Sequence, residues 1–114
     1  MKLNDIISRF GLKVYSPPGD GELEIKHGYT SDMLSDVIAN AGRDYVWVTM
    51  QTHINIIAVA ALKDLAAIVL VRGHAPEPAT IEVAKTKGVC VLGTNLSAFD
   101  ITGQLYASGL TGGS

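Results

Sequence analysis

A regular alternation of apolar runs and helical stretches over the second half of the chain constrains the fold most strongly. Three runs rich in apolar and β-branched residues predict strands, at 45–50, 66–71 and 89–92. Each run is followed by a stretch that predicts a helix, at 54–65, 80–87 and 97–108. Strands that alternate with helices form a parallel sheet through right-handed crossovers. We therefore expect an α/β fold with a layered, largely parallel sheet of about four to five strands and flanking helices.

The first thirty residues predict one clear helix and two shorter strands. Apolar positions within 3–10 have the spacing of a helix, which Gly11 is expected to end. Residues 12–15 predict a short strand, and the alternation within 22–26 predicts a half-exposed one. Gly28 is expected to break this second strand.

A second helix is predicted from Asp32 to about Ala41. Thr30 or Ser31 would cap it, because short polar side chains satisfy the free N–H groups of the first turn. Asp32 would lie in that first turn, where a negative charge suits the helix dipole.

The chain has the length of one domain, with 114 residues. We expect a single domain over 1–110 and a flexible tail over 111–114, with fraying from Leu110 onward. Hydrophobic residues make up 47% and charged residues 18%, against roughly 25% charged in an average soluble protein. This shortage of charge predicts a covered surface, and the helix at 54–65, apolar on almost every side, would be buried in a homodimer.

The composition argues against several classes of protein. The net charge of -2 disfavours sequence-independent binding of nucleic acid, which needs excess Lys and Arg. No apolar run approaches the roughly 20 residues that span a bilayer, and no signal-like segment opens the chain, so we expect no membrane association and a cytoplasmic location. The single Cys90 is expected to be a buried small hydrophobe. One cysteine cannot hold an iron–sulfur cluster, and the three histidines lack metal-ligand spacing, so we expect no cofactor and no metal.

The loops after the three predicted strands carry the candidate site. In open α/β sheets ligands bind beyond the carboxyl ends of the strands, and helix N-termini there attract anions. The candidate ligand-binding residues are Gln51, Thr52, His53, Asn55, Arg72, Gly73, Thr94 and Ser97. Their expected ligand is a small anion such as a phosphate or carboxylate. The alternative for Thr52, Asn55 and Ser97 is that they only cap helices.

Two of these residues support a second hypothesis, a small nucleotide- or phosphate-binding enzyme. His53 starts a helix, where a neutral imidazole is favoured and could accept a proton. Arg72 could pair with a phosphate through two parallel hydrogen bonds. The sequence does not assemble a nucleophile, a base and oxyanion donors, so no catalytic residue is predicted.

Three stretches of the chain resemble DRTGG domains, at 28–37, 46–60 and 66–96. The resemblance covers roughly residues 1–110 and is strongest to stand-alone DRTGG proteins encoded near iron-only hydrogenase and electron-transfer genes. It implies a fold like the N-terminal domain of HPr kinase/phosphorylase. Similar domains are accessory parts of phosphotransacetylases and of inorganic pyrophosphatases with CBS domains. The resemblance thus implies a non-catalytic regulatory or adaptor domain, dimer contacts, and a protein partner in a redox or signalling system.

The motif that names the DRTGG family is altered here. Its Asp-Arg-Thr stretch corresponds to Gln51-Thr52-His53, and its Thr-Gly-Gly stretch to Val71-Arg72-Gly73, so only Gly73 is retained. Glutamine and histidine keep hydrogen-bonding capacity but lose fixed charge. A ligand held by the family's charged residues would meet a more neutral site in this chain.

Overall fold

One five-stranded sheet organises the computed structural model, which describes residues 1–113. Its strands are β1 (Lys13–Ser16), β2 (Gly28–Thr30), β3 (Val46–Thr49), β4 (Ala67–Leu70) and β5 (Val91–Gly93). They lie in the order β1-β5-β4-β3-β2. Strands β2 to β5 pair in parallel, and β1 pairs antiparallel with β5. The predicted α/β fold with a largely parallel sheet of four to five strands is confirmed.

Five helices cover the two faces of the sheet. They are α1 (Leu3–Arg9), α2 (Leu34–Asn40), α3 (Asn55–Lys63), α4 (Pro78–Lys87) and α5 (Ala98–Ala107). Buried residues of α2, α3 and α4 pack together on one face, and those of α1 and α5 pack on the other. Since β2 to β5 follow one another across the sheet, their right-handed crossovers place α2, α3 and α4 on the same side.

The central strands are buried on both faces, as continuous apolar runs predict for a parallel sheet. In β3, Val46 and Val48 pack toward α1 and α5, and Trp47 packs toward α2 and α3. The Trp47 indole N–H donates to the Ser31 carbonyl at 2.8 Å, which satisfies the one polar group of this buried ring. Cys90 is buried, as predicted, in the core that also contains Val46 and Val48.

The strand predicted within 22–26 is not present, and the prediction that Gly28 breaks a strand is wrong. Gly28 instead opens β2, in register with Val46 of β3. The preceding segment bonds to the start of the chain, since Leu3 N donates to Leu23 O at 2.9 Å and Ile25 N to Met1 O at 2.8 Å. The alternation of apolar and polar residues nevertheless indicated a buried position correctly, because Ile25 lies in the core.

The predicted start of the second helix is also wrong. Helix α2 begins at Leu34, its N-cap residue is Met33, and neither Thr30 nor Ser31 is the N-cap. Asp32 is not in the first turn, because its carboxylate accepts from Thr49 Oγ1 and from Met50 N, both at 2.8 Å. Because the Asp32 carboxylate accepts hydrogen bonds at the end of β3, it is not positioned to accept them from the N-terminus of α2.

Leu110 and Thr111, the first two residues of the segment that was expected to fray, are packed or hydrogen-bonded to the rest of the domain. Leu110 is 3% exposed and belongs to the core. Thr111 N donates to Lys26 O at 3.1 Å, and Thr111 O accepts from Gly28 N at 2.9 Å. The flexible tail over 111–114 otherwise stays a prediction, and Ser114 lies outside the described residues.

Helix α3 buries only one face within the single chain. Ile56, Ile57, Val59 and Ala60 are buried, while Leu62 on the outer face is exposed. The predicted burial of this helix on every side would therefore need another chain. Over residues 1–113, no helix is long and apolar enough to cross a membrane.

Candidate functional site

The loops after β4 and β5 diverge to opposite faces of the sheet. The β4 loop leads into α4 on one face, and the β5 loop leads into α5 on the other. In open α/β sheets, such a divergence leaves a crevice at the carboxyl ends of the two strands where ligands bind.

A cavity of about 320 Å³ occupies this crevice. We call it the switch-point cleft, and it is lined by Gly11, Lys13, Tyr15, Gly73, His74, Gly93, Thr94 and Asn95. Three distant parts of the chain therefore meet in one place: the start of β1, the loop after β4 and the loop after β5. Of its lining side chains within residues 1–113, Lys13 and His74 are basic types and none is acidic.

Backbone hydrogen bonds join the two loops of the cleft. Arg72 N donates to Leu96 O and Gly73 N donates to Thr94 O, each at 2.9 Å. Arg72 and Gly73 both have left-handed backbones, with φ of 53° and 69°. A Cβ at Gly73 would also lie 3.1 Å from Asn95 Oδ1, so glycine relieves both backbone strain and crowding at the cleft wall.

Strand β1 contributes a cation and an aromatic ring to the cleft. Its antiparallel register pairs Lys13 with Gly93, which brings Lys13 to the carboxyl edge of the parallel strands. The Lys13 ammonium lies 5.0 Å from the centre of the Tyr15 ring, within the range of a cation–π contact. The cleft thus combines a positive charge, an aromatic surface and polar loop groups.

Only two of the eight predicted site residues line the switch-point cleft, Gly73 and Thr94. Arg72 is exposed beside it. Ser97 is the N-cap of α5, and its Oγ accepts from Asp100 N at 3.1 Å. For Ser97 the structure matches the capping alternative.

Of the four candidates after β3, Gln51 and His53 form local hydrogen bonds through their side chains, and Thr52 and Asn55 form them through backbone atoms. Gln51 Nε2 donates to Asp32 O at 3.0 Å, and Thr52 O accepts from Thr80 Oγ1 at 2.9 Å. His53 Nδ1 accepts from Asn55 N at 3.2 Å, so the imidazole caps the first turn of α3. Asn55 itself lies on a separate surface depression that includes Lys87. These four residues do not line the cleft, and their role in ligand binding stays a prediction.

Sequence reasoning missed Lys13 and Tyr15. They belong to an edge strand that pairs antiparallel with β5, and nothing in the spacing of either segment indicates this long-range pairing. His74 and Asn95 lie on the predicted loops but were not among the candidates. Their position next to Gly73 and Thr94 was the signal that could have included them.

Three titratable groups outside the cleft have shifted pKa values with structural causes. Tyr29 Oη donates to Asp36 Oδ1 at 2.7 Å, which lowers the pKa of the Asp36 carboxyl and raises that of Tyr29. Burial raises the pKa of the Cys90 thiol to about 12. In the part of the chain that the structure describes, no three His, Cys, Asp or Glu side chains are grouped to hold a metal ion.

A comparison with solved structures identifies the fold of the chain. No protein-family model matches the chain, and no curated protein matches it. A solved structure does match, that of the CBS and DRTGG domains of the regulatory region of Clostridium perfringens pyrophosphatase in complex with its activator, diadenosine tetraphosphate. The TM-score is 0.77 at 15% identity, over 96% of this chain and 47% of that chain, so this chain spans about half of its length. The resemblance to DRTGG domains is thereby confirmed for the fold, and the chain has a DRTGG-like α/β fold.

Proposed function

We propose that this chain is a non-catalytic regulatory domain that acts as a homodimer and senses a small anionic or nucleotide ligand in the switch-point cleft. The observation that carries the proposal is the position of Lys13 and Tyr15 in a crevice between diverging β4 and β5 loops. The structural neighbour supports it, since that pyrophosphatase region is regulatory and is complexed with a nucleotide activator.

The chemistry of the cleft favours a phosphate-bearing ligand. The Lys13 ammonium can pair with a phosphate oxygen, and charge-assisted hydrogen bonds of this kind are about twice as strong as neutral ones. The Tyr15 ring offers a surface on which a flat base can pack. The volume of about 320 Å³ lies at the small end of the roughly 300–1,000 Å³ typical of ligand sites, so a compact anion or one end of a nucleotide fits best.

The groups in the cleft are suited to binding more than to reaction. The Lys13 ammonium is held over the Tyr15 ring, and the Thr94 hydroxyl accepts from Leu96 N at 3.2 Å. A nucleophile needs a general base within hydrogen-bond reach. The hydrogen bond that the Thr94 hydroxyl makes among the described residues is to Leu96 N and not to His74, the basic imidazole of the cleft. We therefore propose that ligand binding changes the contacts of the domain and that chemistry takes place on a partner.

Calorimetry with a panel of phosphate compounds tests ligand sensing. The panel is phosphate, pyrophosphate, AMP, ATP and diadenosine tetraphosphate. We expect at least one to bind, and Lys13→Gln to weaken it at least tenfold. Lys63→Gln, which removes the same charge on α3, is the matched control and should bind as the wild type does.

Three outcomes would count against this proposal. Absence of binding by every compound would contradict ligand sensing. Equal losses in Lys13→Gln and Lys63→Gln would show that the net charge, and not the cleft, attracts the ligand. Binding that is lost in His53→Ala and Arg72→Ala but kept in Lys13→Gln would favour the alternative, a small nucleotide- or phosphate-binding enzyme that uses His53 and Arg72.

The resemblance to stand-alone DRTGG proteins supports a further part of the proposal. We propose that the domain acts with a protein partner in a redox or signalling system, such as a hydrogenase or another electron-transfer complex. Purification of the untagged protein from its native host tests this directly. Reproducible co-purification of electron-transfer subunits is expected, and recovery of the chain alone would count against it.

A further inference from the structure

The outer face of α5 exposes two large aromatic side chains. Phe99 is 87% exposed and Tyr106 is 70% exposed, the highest values among the large apolar side chains of residues 1–113. They are two helical turns apart and therefore project from the same side of the helix. Exposed apolar patches of this kind mark interaction sites more often than isolated surface residues do.

The two aromatic rings flank an apolar groove between α5 and the edge strand β2. Two depressions of about 250 Å³ and about 470 Å³ share Thr30, Thr102 and Tyr106 as lining residues. Thr30 Oγ1 and Thr102 Oγ1 are 2.7 Å apart, so a hydrogen bond ties α5 to the strand at this point. We call the outer part of the groove the α5 face, defined by Thr30, Ala98, Phe99, Thr102, Gly103 and Tyr106.

A glycine lies at the centre of the α5 face without a packing reason inside the chain. Gly103 is in the middle of α5, where glycine is less favourable than alanine. A Cβ placed there would meet no atom within 4 Å among the described residues. The missing side chain leaves a hollow between the Phe99 and Tyr106 rings, which would allow the backbone of another helix to approach closely.

We propose that the α5 face binds a second copy of this chain in an antiparallel, two-fold arrangement. The inference rests on the homodimer of the proposed function and assigns the surface that forms it. Phe99 precedes Gly103 by one turn and Tyr106 follows it by about one turn. A two-fold axis near Gly103 therefore places Phe99 of each copy opposite Tyr106 of the other, with the glycines at the crossing. One surface supplies both the projecting rings and the hollow, as an isologous interface requires.

The absence of charge on this face favours a second copy as the occupant. None of the residues that line the two depressions within 1–113 is charged. A two-fold axis brings only the groups that lie near it against their own counterparts, so charged residues close to the axis would repel each other. The exposed Asp100, which follows Phe99, does not line the groove. A neutral face avoids this repulsion although each chain has a net charge of -2.

The area of the aromatic residues is consistent with a dimer of ordinary size. An aromatic side chain buries roughly 150–250 Å², so Phe99 and Tyr106 from two copies would bury about 600 Å² or more. Stable interfaces bury about 1,200–2,000 Å² in total. The four rings would supply about half or more of the smaller value, and the groove walls and neighbouring loops would supply the rest.

The sequence placed the associating surface on the helix at 54–65, but the structure favours α5. The outer face of α3 exposes one large apolar side chain, Leu62, whereas α5 exposes two, Phe99 and Tyr106. Leu62 therefore offers a matched control, an exposed large apolar side chain on a different helix.

Sedimentation equilibrium on purified protein tests the assignment. We expect the wild type to have twice the 12.0 kDa mass of the chain at micromolar concentration. Phe99→Glu and Tyr106→Glu should each yield monomers, and Leu62→Glu should remain a dimer. Because Phe99 and Tyr106 are exposed, circular dichroism should show a native fold for both variants.

Gly103→Ala adds a test in which folding and association change in opposite directions. In the monomeric Phe99→Glu background, the added methyl should raise the melting temperature, since alanine favours the helix. In the wild-type background, it should weaken the dimer at least tenfold, because the methyl fills the hollow at the crossing.

A monomeric wild type would overturn the inference, as would a dimer that survives Phe99→Glu and Tyr106→Glu or that Leu62→Glu dissociates. Association unaffected by Gly103→Ala would overturn the close crossing. Ligand binding measured on monomeric Phe99→Glu separates this inference from the proposed function. If that variant binds the ligand and the wild type is a monomer, the dimer fails while ligand sensing stands.

Discussion

The ring of Tyr15 lies against the backbone of Gly93, so close that a Cβ at Gly93 would stand 2.7 Å from Tyr15 Cε2. Gly93 is the last residue of β5 and pairs with Lys13 at the start of β1. Glycine at this position lets the aromatic ring close one wall of the switch-point cleft. The edge strand and the candidate ligand site therefore depend on the same contact.

Replacement of Gly93 should disturb both stability and the cleft. We expect Gly93→Ala to lower the free energy of unfolding by about 1–3 kcal/mol, the usual cost of a side chain forced into occupied space. Urea denaturation measures the loss. In Tyr15→Ala the obstructing ring is absent, so the two substitutions should be strongly non-additive. Gly19→Ala, where the nearest atom is 4.0 Å away, is the control and should change stability little. Additive losses would show that the ring is not the obstacle.

Ser97 should stabilise the start of α5 through its side chain. Its Oγ accepts from Asp100 N at 3.1 Å, which satisfies one of the free N–H groups of the first turn. We expect Ser97→Ala to cost about 1 kcal/mol in thermal or urea unfolding, and Ser97→Asn, which can cap the same helix, to cost much less. Equal stability of the alanine and asparagine variants would contradict a capping role.

The hydrogen bond from Tyr29 should set the titration of Asp36. Because this bond is the largest cause of the lowered pKa of Asp36, Tyr29→Phe should raise that pKa toward its ordinary value. A carboxyl with a lowered native pKa stabilises the fold above its unfolded pKa, and this stabilisation is lost as the pH falls. The variant should therefore lose less stability on acidification than the wild type. Carboxyl NMR shifts of Asp36 measure the pKa directly, and an unchanged value in Tyr29→Phe would contradict the assignment.

Cys90 should be chemically inert in the native protein. Burial raises the pKa of its thiol from the ordinary value of 9.0 to about 12. An acid whose native pKa is raised stabilises the fold fully below the unfolded pKa, and the contribution is lost as the pH rises through the native pKa. The stability difference between wild type and Cys90→Ala should thus shrink between pH 9.0 and about 12. At neutral pH a thiol reagent should modify only the unfolded protein, and rapid modification of the native protein would contradict the burial.

Local patterns in the sequence predicted most of the fold, because β2 to β5 follow one another across the sheet as they do along the chain. The continuous apolar run of β4 and the proline at the start of α4 are local signals that tertiary contacts did not override. Asp32 shows where such signals fail. Next to a predicted helix, an aspartate suits the first turn, but the end of β3 offers Thr49 Oγ1 and Met50 N, and these donors hold its carboxylate instead.

The candidate site was less accessible to prediction than the fold. Gly73 and Thr94 follow strands whose parallel pairing could be inferred, and they line the cleft. Lys13 reaches the same place only through antiparallel pairing with a strand far along the chain, which no local pattern encodes. The same limit applies to the surface of α5. Periodicity identifies an apolar face, but only the packed structure shows that Ile101 is buried while Phe99 is exposed.

The most direct test of ligand sensing in the switch-point cleft is a two-dimensional NMR titration of the isotope-labelled protein with the phosphate panel. We expect backbone amide shifts to change with a saturable dependence at 11–15, 73–74 and 93–95, the three segments that line the cleft. Lys13→Gln should remove these changes at the same ligand concentration. Shifts confined to 51–55 and Arg72, or no saturable shift with any compound, would contradict the account.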